Sequence, residues 1–242
     1  MRLENKVCIV TGSSSGIGKA IAESYAREGA TVVVTYNNNK DGAVETAKNC
    51  NTDLVYHLDV RDSQQIVDVF ADVAQKTGGV DVLVNNAGVN KTNDFDKLSE
   101  EDWDFVLDVN LKGVFLCCQK ILPHMNEGGS IINIGSLSGE YGGPRTPSYA
   151  AAKAGVMSLT HCLARFVGDR KIRVNCLSPG VIGNEFTAKS MAPDVRKLVD
   201  NLLLLKHLGT VEDMTGAAVF LASDESSYMT AQTMSINGGA WV

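Results

Sequence analysis

Short apolar runs rich in β-branched residues alternate with helix-length segments along most of this chain. Seven such runs predict strands, at residues 7–10, 31–35, 54–57, 80–84, 131–134, 172–176 and 233–236. Strands that are separated by helix-length segments are typical of βαβ units, in which neighbouring strands run parallel. The pattern therefore predicts an α/β fold with a doubly wound parallel sheet of about seven strands and helices on both faces.

Helical periodicity occupies much of the sequence between these strands, at 17–28, 63–76, 101–125, 148–167 and 212–222. A length of 242 residues suits one large α/β domain, and no linker, internal repeat or low-complexity run interrupts the pattern. We therefore expect a single domain over 1–242.

The segment from Pro179 to about Leu208 departs from this alternation. A Pro-Gly turn leads there into two short apolar helices, and no strand follows directly. An insertion after a strand is a candidate lid over a ligand site, which we predict at about 181–208. A solvated excursion is the alternative.

The charge and the start of the chain limit its partners and its location. The formal net charge is −6, whereas a surface that neutralises nucleic-acid phosphates needs a surplus of Lys and Arg, so no nucleic-acid partner is expected. The first apolar run has about six residues, too few for a signal sequence or for the roughly 20 residues of a membrane span. We expect a cytoplasmic protein with no membrane contact.

The cysteines show no CxxC or metal-ligand spacing. Most of the six lie inside apolar runs, so buried reduced thiols are expected in place of disulfides. No metal site is predicted. The six positions are Cys8, Cys50, Cys117, Cys118, Cys162 and Cys176.

A glycine-rich loop follows the first predicted strand and opens a predicted helix. A helix N-terminus offers unpaired N–H groups and a positive dipole end, so we expect this loop to hold a pyrophosphate. Gly12 permits the tight turn, Gly16 lets the backbone approach a phosphate, and Gly18 lets helix and strand pack closely. A purely structural turn is the alternative. The predicted contacts are Gly12, Ser14, Ser15, Gly16, Ile17 and Gly18.

The loop resembles the TGxxxGxG cofactor loop of the short-chain dehydrogenase/reductase family, and the resemblance extends over essentially the whole chain. It implies a Rossmann-type fold and an enzyme that moves a hydride between NAD(P)(H) and a ketone or secondary alcohol. The run at 219–225 looks most similar to that of the 3-oxoacyl-[acyl-carrier-protein] reductases. The other motifs, in family order, are Asn85-Asn86-Ala87-Gly88, Asp108-Val109-Asn110, Ser136, Tyr149-Ala150-Ala151-Ala152-Lys153, Pro179-Gly180 and Asn237-Gly238-Gly239.

The resemblance also implies where the cofactor lies. The Asp59-Val60 pair is expected beside the adenine, although Asp59 is alternatively a simple turn residue. Asn184 stands where the family usually has a threonine that bonds the nicotinamide carboxamide, and an amide can make the same contact. The predicted contacts beyond the glycine loop are Tyr36, Asn37, Asp59, Val60, Asn86, Ala87, Gly88, Tyr149, Lys153, Pro179, Gly180, Ile182 and Asn184.

Tyr149 and Lys153 stand one helical turn apart on a predicted helix, so their side chains share a face. Reduction of a ketone leaves an alkoxide that needs a proton, and a nearby cation favours the ionised form of a phenol whose pKa is normally ~10. We predict that Tyr149 is the general acid/base and that Lys153 lowers its pKa and holds the ribose. A tyrosine and a lysine on a solvated helix face are the alternative.

Ser136 is predicted to complete the catalytic group. It follows a strand at the family distance before Tyr149, and its hydroxyl can donate to the substrate oxygen. Ser138 is the second choice. Tyr36 and Lys40 have the same spacing as Tyr149 and Lys153, but no serine precedes them at that distance. By the resemblance, Asn110 supports a water that leads protons to the lysine.

The substrate is predicted less sharply than the chemistry. A 3-oxoacyl-type carbonyl is the leading interpretation, and a polyol or sugar is the alternative. A non-catalytic nucleotide sensor or scaffold is a more remote one. An acidic carrier protein needs basic residues beside the cleft, but the segment before the fifth strand contains Glu127, and only Arg170 and Lys171 remain.

The end of the second strand bears on the choice between NAD and NADP. An enzyme selective for NAD commonly has a carboxylate there, which repels a 2′-phosphate. This chain has Tyr36, then three asparagines and Lys40, so nothing repels the phosphate. Ser15 stands where many NADP-selective relatives carry an arginine. NADP(H) is favoured, and NAD(H) stays open.

Two long predicted helices, at 101–125 and 148–167, carry more apolar residues than one sheet face needs. In the family such helices pair across two-fold axes, and an apolar tail at 238–242 is unusual in water. We predict a homotetramer. The residues concerned are Phe105, Leu111, Val114, Leu116, Ala150, Ala154, Met157 and Leu159.

Overall fold

The strands of the protein form one parallel sheet, in a computed structural model that describes residues 1–183, 197 and 201–241. The strand order is β3-β2-β1-β4-β5-β6-β7, and every neighbouring pair is parallel. The predicted doubly wound fold is thus confirmed. The strands are β1 (Val7–Val10), β2 (Thr31–Tyr36), β3 (Val55–His57), β4 (Val80–Asn85), β5 (Met125–Ile134), β6 (Arg173–Pro179) and β7 (Thr233–Ile236).

Helices connect the strands in the described part of the chain. Side-chain caps start four of them, and two examples are Asn39, which accepts a hydrogen bond from the Gly42 N–H, and Asp62, which accepts from Gln64 and Gln65. The helices are α1 (Gly16–Arg27), α2 (Lys40–Cys50), α3 (Ser63–Thr77), α4 (Glu100–Leu107), α5 (Gly113–Ile121), α6 (Leu137–Tyr141), α7 (Pro147–Val167) and α8 (Thr215–Ala222).

The helix predicted at 101–125 is present from Glu100 to His124, but it is not one uniform α-helix. A π turn at Asp108–Lys112 separates α4 from α5, and Met125 already begins β5. The Asn110 amide donates to the carbonyl of Val106, one turn back, and a side chain that competes for the helix ladder in this way widens it locally. Pro123, in the short turn Leu122–His124, then ends the helical run.

The core lies on both faces of the sheet. Every residue of β1 and β6 is buried, as expected for strands that are covered by helices on both sides. One cluster packs α3, α5 and α7 against one face, and a second packs α1, α2 and α8 against the other. Five of the six cysteines are buried and Cys162 is exposed. No helix in the described ranges is long and apolar enough to cross a membrane.

Chain order reverses between β1 and β4, and in such sheets ligands bind beyond the carboxyl ends of the strands at this point. The chain leaves β6 and returns beside it, since Ile182 bridges to Gly209 and the Gly183 N–H donates to the Gly209 carbonyl at 2.8 Å. Most of the predicted lid, with its two short helices, lies outside the described residues.

Candidate active site

The glycine loop makes a tight connection between β1 and α1. Gly12 has φ of +65°, which favours glycine, and a Cβ there would lie 3.0 Å from the Cα of Ala87. A Cβ on Gly18 would lie 2.6 Å from the Gly12 carbonyl oxygen. Larger residues would therefore push the loop away from α1 and from the end of β4.

The start of α1 is open to an anion. Ser15 precedes the helix without capping it through its side chain, and the first turn contains no acidic residue. The first N–H groups of a helix have no partner within it, so those of Gly16, Ile17 and Gly18 are available to a phosphate.

A cleft of about 630 Å³ lies at the carboxyl edge of the sheet beside this loop. That volume is within the range of small-molecule sites. The predicted cofactor residues that line it are Gly12, Ser14, Ser15, Gly16, Ile17, Asn37, Asp59, Val60, Asn86, Ala87, Gly88 and Ile182. The lining residues that the sequence did not predict are Asn38, Asn39, Leu58, Arg61, Val89, Phe105, Val109 and Val211.

Arg61 is the cleft residue that sequence reasoning most clearly missed. It pairs with Asp59, with its Nε 3.0 and 3.1 Å from the two carboxylate oxygens, and its guanidinium lies 5.3 Å from the ring centre of Phe105. The pair holds the pKa of Asp59 below its usual range. Its position two residues after Asp59, at the end of β3, was the available signal.

Asn86, Ala87 and Gly88 form the rim of the cleft at the end of β4. The hydroxyl of Thr11 accepts hydrogen bonds from the N–H groups of Asn86 and Ala87 at 2.9 and 3.0 Å. The Asn86 amide in turn donates to the Thr11 carbonyl at 2.9 Å. The rim is therefore fixed to the glycine loop before any ligand arrives.

Several predicted cofactor residues do not line the cleft. Tyr36 is not among the residues that line the cleft, and its ring packs edge-on against that of His57, with 5.5 Å between the ring centres. Gly180, after Pro179, packs against Asn237 and borders a smaller pocket with Ile182. Asn184 lies outside the described residues.

Tyr149 and Lys153 lie one turn apart on α7, as predicted. Lys153 is buried, and its Nζ donates to the Ile134 carbonyl at 2.7 Å and lies 5.5 Å from the ring centre of Tyr149. Burial lowers the pKa of Lys153 from 10.5 to about 8. The ammonium is thus held at the end of β5 by a backbone oxygen.

The pKa of Tyr149 is raised in this structure, although the sequence predicted that Lys153 lowers it. Burial is the larger cause, and the hydroxyl of Ser136 opposes it. The causes of the shift do not include Lys153, whose ammonium is bonded to the Ile134 carbonyl in this structure. The phenol therefore keeps its proton, which is the form that a general acid requires.

Ser136 follows β5 and precedes α6 as its N-cap. Its oxygen accepts a hydrogen bond from the Ser138 N–H at 3.1 Å, so its own proton is free to be donated. Ser138 lies against Gly143, where an added Cβ would be 2.9 Å from the Ser138 Cβ. Of the two serines, Ser136 is the one that acts on the pKa of Tyr149.

Asn110 is fully buried in the π turn and bonds to the backbone of Val89. Its amide donates to the Val89 carbonyl at 2.8 Å, and its oxygen accepts from the Val89 N–H at 3.3 Å. No hydrogen bond joins it to Lys153 among the described residues. In this structure Asn110 fixes the chain just beyond the Asn86–Gly88 rim.

The residues of the cleft fit a dinucleotide. They provide open N–H groups at α1 for phosphates, side-chain amides at Asn37 and Asn38, and apolar side chains after β3 and in α4 for a flat ring. A hydroxyl and a protonated phenol lie at the same edge of the sheet, where they can donate to a carbonyl oxygen. The described residues hold no cluster of His, Cys, Asp or Glu that could bind a metal ion.

Comparisons with known proteins agree with this geometry. A family model described as enoyl-(acyl carrier protein) reductase matches residues 12–240. The 3-oxoacyl-[acyl-carrier-protein] reductase FabG of Thermotoga maritima is 43% identical over 244 residues, which cover 99% of both chains.

Two solved structures have the same fold over the whole length. A blue fluorescent protein from a metagenomic library, solved with NADPH, has a TM-score of 0.93 at 31% identity and covers 100% of both chains. A mutant short-chain dehydrogenase/reductase of Serratia marcescens has a TM-score of 0.93 at 32% identity and covers 99% of both chains. The chain therefore belongs to the short-chain dehydrogenase/reductase family of NAD(P)-dependent oxidoreductases.

Proposed function

We propose that this enzyme uses NADPH to reduce 3-oxoacyl thioesters to 3-hydroxyacyl thioesters, with Tyr149 as the proton donor. The observation that carries the proposal is the placement of Tyr149 and the buried Lys153 on one helix, with the Lys153 Nζ 5.5 Å from the phenol ring centre, and of the Ser136 hydroxyl beside Tyr149 after β5. The Thermotoga relative, which is named for a 3-oxoacyl substrate and matches the chain from end to end, supports the substrate class.

Each residue has a separate part in this reaction. The nicotinamide, when bound, supplies the hydride that reaches the carbonyl carbon. The Ser136 hydroxyl donates a hydrogen bond to the carbonyl oxygen and stabilises the negative charge that develops there. Tyr149 then gives its proton to that oxygen. The positive charge of Lys153, 5.5 Å from the ring, favours the phenolate that Tyr149 becomes.

Lys153 and Asn110 act around this group. Lys153, whose ammonium donates to the Ile134 carbonyl and stays charged below its pKa of about 8, would hold the ribose of the bound cofactor. Asn110 positions the Val89 backbone beside the cleft. A sensor that had lost catalysis would not need the phenol, the serine and the buried ammonium together.

The cleft favours NADP(H) over NAD(H). Asn37 and Asn38 line it and can donate to a 2′-phosphate, whereas the Asn39 amide caps α2 and bonds to the Ser14 carbonyl at 3.3 Å. Asp59 is the one carboxylate in the described lining, and Arg61 pairs with it. Little in this lining repels a further negative charge.

The carrier of the acyl group is proposed to be a small thiol such as coenzyme A. The guanidinium of Arg170 is used by the carbonyls of Leu122 and Met125, at 2.8 and 2.6 Å, and Lys171 pairs with Glu127 at 2.8 Å. An acidic carrier protein would therefore meet at these two residues one ion pair and one cation, Arg170, whose guanidinium is held against the backbone and has no carboxylate partner among the described residues. A polyol or sugar is the competing substrate.

A turnover screen tests the proposal. Acetoacetyl-coenzyme A is offered with NADPH and with NADH, and polyols and sugars are offered with the oxidised cofactors. Turnover of the thioester with NADPH, abolished in Tyr149→Phe, is expected. Turnover of the polyols and not of the thioester would replace the 3-oxoacyl proposal with the polyol one, and no turnover in any arm would favour a non-catalytic role.

We also propose that residues 1–242 form one domain, that 181–208 is its lid, and that the enzyme is a cytoplasmic homotetramer. Ile182, where the lid begins, lines the cleft and supports the lid. The tetramer needs a revised set of residues, because Val114 and Ala150 are buried and Leu111 packs on Gly155 of the same chain. Phe115 and Phe166 remain exposed on α5 and α7.

A further inference from the structure

Glu140 joins three elements at the carboxyl edge of the sheet. Its Oε1 accepts a hydrogen bond from the hydroxyl of Ser178 at 2.6 Å and another from that of Ser235 at 2.7 Å. Ser178 lies in β6 and Ser235 in β7, and the two are direct partners in the strand register. One carboxylate oxygen from α6 therefore accepts hydrogen bonds from two hydroxyls on neighbouring strands.

Helix α6 needs such external contacts. It has five residues, and a helix this short is not stable by itself in water. Its backbone lies close to α7, where a Cβ on Gly139 would be 2.7 Å from the Ala154 nitrogen. The two bonds to Glu140 are the only side-chain hydrogen bonds between α6 and the sheet in the described part of the chain.

The position of Glu140 is not explained by helix formation. In a helix of five residues Glu140 belongs to the first turn and also lies near the C-terminal end, so the helix dipole does not account for it. Two hydroxyl donors to one charged acceptor make bonds stronger than those between neutral groups. Glu140 instead connects α6 to β6 and β7 through Ser178 and Ser235, and we call these three residues the junction.

Ser136 is the group that this junction controls. It is the N-cap of α6, one turn before Glu140, whereas Tyr149 and Lys153 are held separately on α7. If the junction opened, Ser136 would keep its hydroxyl and lose its fixed place beside Tyr149. A misplacement of about 1 Å in a catalytic group can cost roughly 100-fold in rate.

We propose that Glu140 is a positioning residue, whose bonds to Ser178 and Ser235 hold α6 so that the Ser136 hydroxyl meets the carbonyl oxygen of the substrate. This role rests on the proposed function, in which Ser136 is the hydrogen-bond donor. No family motif identified in the sequence contains Glu140, and the residue does not touch the reacting atoms.

A double-mutant cycle tests the proposal. Glu140→Ala should lower kcat by roughly 10- to 100-fold and leave the Kd of NADPH, measured by fluorescence, unchanged. In a Ser136→Ala background, Glu140→Ala should not lower kcat further, because the hydroxyl that Glu140 positions is then absent. Glu140→Gln keeps an oxygen that can accept both hydroxyl bonds, so it should restore kcat to within about 3-fold of the original enzyme.

Hydrogen exchange gives a second readout that does not depend on activity. The amides of α6 should exchange faster in Glu140→Ala than in the unchanged protein, and Glu140→Gln should restore slow exchange. The double variant Ser178→Ala, Ser235→Ala should reproduce the alanine result, and it replaces Glu140→Ala if that variant does not fold.

If Glu140→Ala lowered kcat equally in the Ser136 enzyme and in the Ser136→Ala variant, the positioning role would be overturned. An unchanged rate of amide hydrogen exchange in α6 would also overturn it. A glutamine variant as slow as the alanine variant would assign the effect to the charge of Glu140 and would also overturn it. An enzyme that reduces no ketone contradicts the proposed function instead, and the exchange measurement still decides the structural part.

Discussion

The Lys153 ammonium donates to the carbonyl of Ile134 at 2.7 Å, which ties the middle of α7 to the last residue of β5. Ser136 follows Ile134 by two residues, so this bond also sets the distance between the helix of Tyr149 and the strand that leads to Ser136. The bond has a cost, because the ammonium is buried and its pKa falls to about 8. Stability should therefore depend on the titration of Lys153.

The first prediction concerns this titration. The folded state holds the pKa of Lys153 at about 8, below its usual 10.5, so the folded protein binds fewer protons between these values. The free energy of unfolding contributed by Lys153 therefore rises as the pH increases through this window, and the full penalty is present below pH 8. In Lys153→Met this dependence should be absent.

Urea unfolding of both proteins from pH 7 to pH 10.5 measures the effect. The free energy of unfolding of the unchanged protein, minus that of Lys153→Met, should increase by about 3 kcal/mol across the range. Titration of the thiols and carboxylates cancels in this difference. A difference that stays constant with pH would show that Lys153 keeps an ordinary pKa in the folded protein.

The second prediction concerns the proton donor. Tyr149→Phe removes the phenol and should lower kcat at least ~10²-fold, the usual scale for the loss of general acid help. Tyr228→Phe is the matched control, since Tyr228 is fully exposed and makes no contact with the cleft. Steady-state kinetics of both variants with one ketone substrate would show the contrast. Near-normal kcat in Tyr149→Phe would remove Tyr149 from the mechanism.

The fold and the shared helix of Tyr149 and Lys153 could be predicted because their signals are local. Alternating apolar runs located all seven strands, and the spacing of Tyr149 and Lys153 already placed both side chains on one helix face. The π turn at Asp108–Lys112 could not be predicted in this way. It depends on the hydrogen bonds of the Asn110 amide, and one of its partners, Val89, is distant in sequence.

Electrostatics was the least predictable part of the site. The sequence places a cation near Tyr149, but only the structure shows that burial raises the pKa of the phenol and that the ammonium is bonded to Ile134. Arg61 was missed for a similar reason, since its position in the cleft depends on the end of β3. Contacts between strand ends are distant in sequence and leave no periodic pattern.

The third prediction concerns assembly. Phe166 on α7 and Phe115 on α5 are 77% and 44% exposed, which is unusual for aromatic residues that face only water. Light scattering at micromolar concentration should give four times the mass of the chain. Phe166→Glu should lower this mass, whereas Tyr228→Glu, at an aromatic position that is even more exposed, should not. A monomer in the unchanged protein would contradict the tetramer.

The fourth prediction concerns the cofactor phosphate. Asn37 lines the cleft directly after β2 and is the nearest counterpart of the carboxylate of NAD-selective enzymes. Asn37→Asp should therefore lower kcat/KM for NADPH by roughly 10- to 100-fold through charge repulsion and leave kcat/KM for NADH almost unchanged. Asn37→Ser is the control that removes the amide without adding charge.

Ser15→Arg should act in the opposite direction. Ser15 lines the same cleft, and its side chain does not cap α1. An arginine at this position can make two parallel hydrogen bonds from its guanidinium to a 2′-phosphate. The ratio of kcat/KM for NADPH to that for NADH should rise in this variant, fall in Asn37→Asp and exceed one in the unchanged enzyme. A ratio below one in the unchanged enzyme would mean that the asparagines bind ribose hydroxyls and not a phosphate, which would assign NAD(H) as the cofactor.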